Sequence, residues 1–184
     1  MTTSEPAWLE ILRGLEEPVA RPEFPREWVE PEDDLIWVPR GFDHAEASAR
    51  FTLLAERIEE VYGCECESSC GLRLGNACFG RIWIPADSTR TRAKRTRNPF
   101  AVEILVSTFG WMATCWPVGL IGNQVVVVQS DDRHRIQEAA ESVGYLFVPE
   151  KALAAPYDGV NDWLVIPSDG ETGGTWFDRF FYPM

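Results

Sequence analysis

Phe100-Ala101-Val102-Glu103-Ile104-Leu105-Val106-Ser107-Thr108-Phe109-Gly110-Trp111-Met112-Ala113-Thr114-Cys115-Trp116 decides the fold class. Its first ten residues are rich in β-branched and aromatic side chains, Gly110 offers a turn, and a second apolar run follows at once. The stretch therefore predicts two strands in succession. Working outward on the N-terminal side, Phe79-Gly80-Arg81-Ile82-Trp83-Ile84-Pro85 predicts a third. Three strands adjacent along the chain imply an antiparallel meander.

Helices are predicted on either side of these strands. Asp43, followed by Glu46, resembles a capping box, and Phe51, Leu54, Ile58 and Val61 then form one apolar stripe that ends at Gly63. Beyond the strands, Ser130 is the expected N-cap of a second helix. Asp131 and Asp132 favour its positive end, Ile136, Ala139, Ala140 and Val143 its buried face, and Gly144 its stop. The β-branched residues 125–128 fit a further strand, 145–148 a short one, and 156–159 a turn. The aromatic residues 175–182 are expected to insert into the core as a strand, with Asp178 alternating between aromatics. Strands grouped between two helices favour an α+β fold: an antiparallel sheet of about five or six strands with two main helices packed on one face.

The first forty residues differ in character. Trp8, Leu9, Ile11, Leu12 and Leu15 recur at helical spacing, with Pro6 suited to a first turn. Residues 18–39 then hold five prolines, which forbid a continuous helix. Residues 1–40 carry ten acids against four arginines, so they are expected to form an acidic, proline-rich arm on a single domain spanning residues 41–184. The whole chain of 184 residues has 29 acids and 17 bases, a net charge of −12. Such a charge repels nucleic acid and anionic lipid and attracts basic proteins.

The remaining composition narrows the class. A chain of this length buries roughly 70% of its unfolded surface and needs neither disulfide nor metal to fold. No apolar run reaches the ~20 residues of a membrane span, and the N-terminus lacks a signal-peptide pattern, so a cytoplasmic protein is expected. Five cysteines, an odd number, then fit free thiols.

Several side-chain groups invite chemistry. Cys64, Cys66, Cys70 and Cys78 are numerous enough for tetrahedral zinc, but Cys64-Glu65-Cys66-Glu67 alternates with both thiols on one side instead of forming a zinc knuckle. Reduced structural cysteines are the simpler expectation, and Cys115 belongs in the core. His44 and His134 both stand at helix starts and are expected to face solvent. Arg90, Arg92, Lys94, Arg95 and Arg97 suit a solvated loop between strands, or a contact for an acidic segment. Tyr157, Asp158, Asp162, Trp163, Trp176 and Asp178 make the C-terminal part both aromatic and acidic, a candidate partner-binding face. Nucleotide-binding and hydrolase motifs are missing, and no cofactor is expected.

In their order, the helix at 53–62, the Phe79-to-Pro85 segment, 99–114, 132–149, Tyr157-Asp158-Gly159 and Trp176-Phe177-Asp178-Arg179-Phe180-Phe181 resemble a group of small, uncharacterised bacterial proteins. Some of these are similar to the immunity partners of secreted toxins. The resemblance implies a protein that plugs the active site of a basic enzyme, and carries no catalytic residues over. A non-enzymatic, acidic protein-binding module is thus the leading expectation. The alternatives are a small-molecule pocket or hydrolase using Asp158, Asp162 or Asp178, and a zinc-bound regulatory domain.

Overall fold

The computed structural model describes residues 5–16, 43–71, 79–91, 99–107, 110–118, 127–160 and 174–181. Helix α1 (Glu5–Gly14) precedes α2 (His44–Tyr62), which leads into strands β1 (Glu67–Cys70), β2 (Gly80–Pro85), β3 (Phe100–Val106) and β4 (Met112–Pro117). Helix α3 (Ser130–Ser142), strand β5 (Leu146–Phe147) and the short helices α4 (Glu150–Leu153) and α5 (Trp176–Phe181) complete the described chain. The fold is α+β. Most of the arm, residues 17–42, lies outside the described residues, as do 125 and 126, Cys78, Asp162, Trp163 and the five-base run beyond Arg90.

The five strands lie in the order in which they occur in the chain, and β1 to β4 pair antiparallel as the meander predicts. The sheet is nonetheless mixed, because β5 joins β4 in parallel, pairing Met112 with Leu146 and Ala113 with Phe147. Parallel neighbours need a crossover, and α3 supplies it. The strand expected at 125–128 is not formed over its described half: Val127 is exposed and Val128 is buried outside any strand.

Alternation sorts the sheet residues onto two faces. Ile82, Ile84, Val102, Ile104, Val106, Ala113, Cys115 and Phe147 point towards α2 and α3, where they meet Phe51, Leu54, Ile58, Ile136 and Ala140. These two are the main helices expected on one face. Asp43 caps α2, accepting the N–H groups of Ala45 (2.9 Å) and Glu46 (3.0 Å), and Gly63 ends it at φ 64° with its N–H on the Glu59 carbonyl. Glu46 itself turns to Arg50, so only half of the predicted capping box forms.

The start of α3 departs from expectation. Its N-cap is Gln129, with no side-chain bond, and Ser130 is already inside the helix. Asp132 explains the difference. Fully buried, its Oδ2 accepts the Thr91 N–H (2.6 Å) and hydroxyl (2.7 Å), while Thr91 Oγ1 in turn receives the Gln129 N–H (3.0 Å). Thr91, in the loop after β2, thus satisfies the first free N–H of the helix start in place of a local side-chain cap.

The opposite face carries a second core. Leu105, Met112 and Val148 are covered by Leu12, Ala152, Leu153, Trp176, Phe180 and Phe181 from α1, α4 and α5. The predicted terminal strand is therefore a helix. Trp176 stacks on Phe180 (5.7 Å between centroids) and Phe177 on Phe181 (5.6 Å), the contacts that residues four apart make on one helical turn. Among the described residues no helix is long and apolar enough to cross a membrane.

Candidate functional site

Four of the six residues expected to meet a partner are described, and they hold the molecule's own helices together. Tyr157 is half-buried. Its hydroxyl lies 2.7 Å from each Glu16 carboxylate oxygen, and its ring meets Trp176 edge-on at 4.8 Å. Glu16 also accepts the Val160 N–H (2.9 Å) and pairs with Arg179 Nε at 2.7 Å, both side chains being almost wholly enclosed. Asp178 is buried in the first turn of α5 and completes a capping box with Thr175: it accepts the Thr175 N–H and hydroxyl, both at 2.7 Å, and its own N–H returns to Thr175 Oγ1 at 3.3 Å. Trp176 is fully buried, and only Asp158 is well exposed, forked onto Arg13 at 3.1 and 2.5 Å. That hydrogen bond with the Arg13 guanidinium lowers the carboxyl's proton affinity.

Beside this layer lies a surface that reading the sequence as strands alone did not single out. Helices α1, α4 and α5 cover the β4–β5 half of their face. On the same face, register places Glu67, Trp83, Glu103 and Trp116 in one row across β1, β2, β3 and β4. The next row holds Ser69, Arg81, Leu105 and Thr114. Trp83 and Trp116 are half-buried, and Trp116 leans against Phe177 of α5 at 5.4 Å. Glu67 and Ser69 are exposed.

Glu103 sits between the two tryptophans. It pairs with Arg81 at 3.2 Å, and burial nevertheless lifts its carboxyl above the usual range, opposed by Arg81 and by a hydrogen bond from Trp83. Facing residues within one rank are near enough to act on a common ligand. Aromatic walls around a carboxylate suit a cationic side chain, through charge and through the ring faces. The sequence did carry a signal for this row: Glu103 is a lone acid in an apolar strand, and Arg81 and Trp83 alternate with Gly80, Ile82 and Ile84.

A third polar group lies where the parallel pair β4–β5 ends. Arg133 of α3 binds Glu150 at 2.9 Å, and burial raises the Glu150 carboxyl against the opposing pull of Arg133. Nearby Cys115 is pushed up to about 12, chiefly by burial, so it is a protonated core thiol. His44 and His134 are both exposed; His44 lies edge-on to Phe79, and His134 stands beside Glu138. Among the described residues no three His, Cys, Asp or Glu side chains gather as a metal site. Compared with family models, with curated proteins and with solved structures, the chain has no match in any of the three.

Proposed function

We propose that the chain is a non-enzymatic binding protein of the immunity or inhibitor type, and that a basic protein docks along the row that crosses β1 to β4. The observation that carries this is the Glu67–Trp83–Glu103–Trp116 row in a chain of net charge −12. Long-range charge speeds the encounter with a basic partner, and half-buried tryptophans supply the area that anchors hot spots. Glu103 serves two ends in this reading. Arg81 neutralises it in the free protein, and an arginine or lysine of the partner, laid between the indoles, takes over part of that pairing. A reducing cytoplasm suits the free thiols of the described cysteines.

Tyr157, Trp176 and Asp178 contribute to this function by seating α5, whose Phe177 supports Trp116. Asp158 is exposed enough to meet the partner directly.

Affinity capture from the native host, at low and at high salt, tests the assignment when wild type is run beside Trp83→Ala and Glu103→Gln. A basic protein retained in stoichiometric amount by wild type, released by salt and lost by both variants is the expected result. Identical retention by all three proteins removes the row from the function, and a wild-type preparation without any partner removes the binding module itself.

A further inference from the structure

Cys64 and Cys66 stand just past the end of α2 with their sulfurs 4.0 Å apart. Backbone bonds hold them there. The N–H groups of Gly63 (2.7 Å) and Cys64 (3.3 Å) both donate to the Glu59 carbonyl, and the Cys66 N–H donates to Glu59 Oε1 at 3.0 Å. Both thiols are half-buried against the rim of the larger core, while Glu65 and Glu67 point outward. The two sulfurs thus face one another on a fixed piece of chain, at the edge of an apolar region.

Such a pair differs from a zinc site in number and in charge. Zinc is held by four ligands, or three and a water, whereas no third His, Cys, Asp or Glu gathers with these two among the described residues. Soft thiolates select soft cations, and a low ligand count with apolar surroundings favours a monovalent one. Burial, with Cys64 alongside, pushes the Cys66 thiol up to about 12.

We propose that Cys64 and Cys66 form a two-thiolate site for a soft monovalent cation, with Cu(I) as its natural chemistry. Binding breaks two S–H bonds, forms two S–Cu bonds and releases two protons to solvent. The bound unit carries one net negative charge, less than the two charges of a bare dithiolate in the same place. No oxidation state changes, because the metal arrives as Cu(I). The site is independent of the sheet face assigned to a protein partner, on which neither cysteine lies.

The test is an anaerobic competition between the reduced full-length protein and bicinchoninate for Cu(I) at neutral pH. It is followed by copper-edge absorption and by proton release in weak buffer. Expected are one tightly held copper with two sulfur neighbours and about two protons released per copper. Cys64→Ser and Cys66→Ser should each weaken binding by about 100-fold or more, while Cys70→Ser, Cys78→Ser and Cys115→Ser stay within about twofold. Melting curves without metal show whether each variant is folded. Should one of the first two fail to fold, the other and the double Cys64→Ala/Cys66→Ala variant carry the comparison. Copper retained by folded Cys64 or Cys66 variants, copper lost on replacing Cys70 or Cys78, or a three-sulfur environment each overturns the assignment.

Discussion

Gly80 lets the sheet come close to Phe51 of α2. A Cβ built on it would stand 2.3 Å from Phe51 Cε2 and 2.5 Å from Cδ2, inside the contact distance of a ring that is itself packed in the core. Gly80→Ala is therefore expected to cost about 1–3 kcal/mol by overpacking, read as a lower urea midpoint with unchanged slope. A companion Phe51→Leu replacement should recover part of that loss, and a wild-type midpoint for the single variant would show that the ring moves freely. Glu103 gives a second residue-scale outcome. Its carboxyl binds a proton more tightly in the folded chain than in the unfolded one, chiefly through burial. Its contribution to stability consequently falls as pH rises from the ordinary carboxylate range through its raised value. Glu103→Gln removes that dependence. Urea midpoints from about pH 4 to pH 7 should decline less steeply for the variant than for wild type, and parallel curves would contradict the burial of this carboxyl.

At the scale of elements, α5 shows which signals a sequence holds and how they compete. Thr175 and Asp178 form a reciprocal cap, and Trp176 with Phe180 and Phe177 with Phe181 repeat at four residues. The pattern Thr-x-x-Asp before an apolar run is a helix start, yet aromatic residues favour strands by propensity, and the propensity prevailed in the sequence reading. Asp178→Ala is expected to lose about 1 kcal/mol, seen as a lower melting temperature. The helices α2 and α3, the meander and the glycine stops were legible because stripes, turns and caps there depend on neighbours within a few residues. The parallel entry of β5, the Asp132–Thr91 tie and the Glu16–Arg179 pair were not, since each joins residues far apart in the chain. The candidate site divides in the same way. Tyr157 and Trp176 do lie together, but as interior supports, and the row through Trp83, Glu103 and Trp116 follows only from strand register. The Glu16–Arg179 pair yields a sharper outcome, because removing one member leaves a buried charge without its partner. Glu16→Ala should cost about 3–5 kcal/mol, whereas Glu16→Leu with Arg179→Met should cost less than that single change. Chemical denaturation of both variants checks the ordering, and equal losses would point to packing in place of charge.

At the scale of the whole molecule, the sheet is shared by two cores. Ile104 and Cys115 face α2 and α3, while their chain neighbours Leu105 and Thr114 face the opposite way, so β3 and β4 are buried on both sides. Neither cover is an accessory to the other. Removing residues 175–184 would uncover Leu105, Met112, Val148 and Leu153 and would strip Arg179 from Glu16, leaving the α1 segment its apolar contacts, the Glu16 bonds to Tyr157 and Val160, and its exposed Arg13–Asp158 pair. An exposed apolar sheet face of this kind costs burial on every alternate residue, and the surviving face must then order the strands alone. The truncated chain is expected to lose its cooperative thermal transition and to bind a hydrophobic dye, while keeping part of its far-ultraviolet helical signal from α2 and α3. If it instead melts sharply at a moderately lower temperature and binds no dye, the α2–α3 side is a self-sufficient core, and the α1–α4–α5 layer serves chiefly to shape the sheet face beside Trp116.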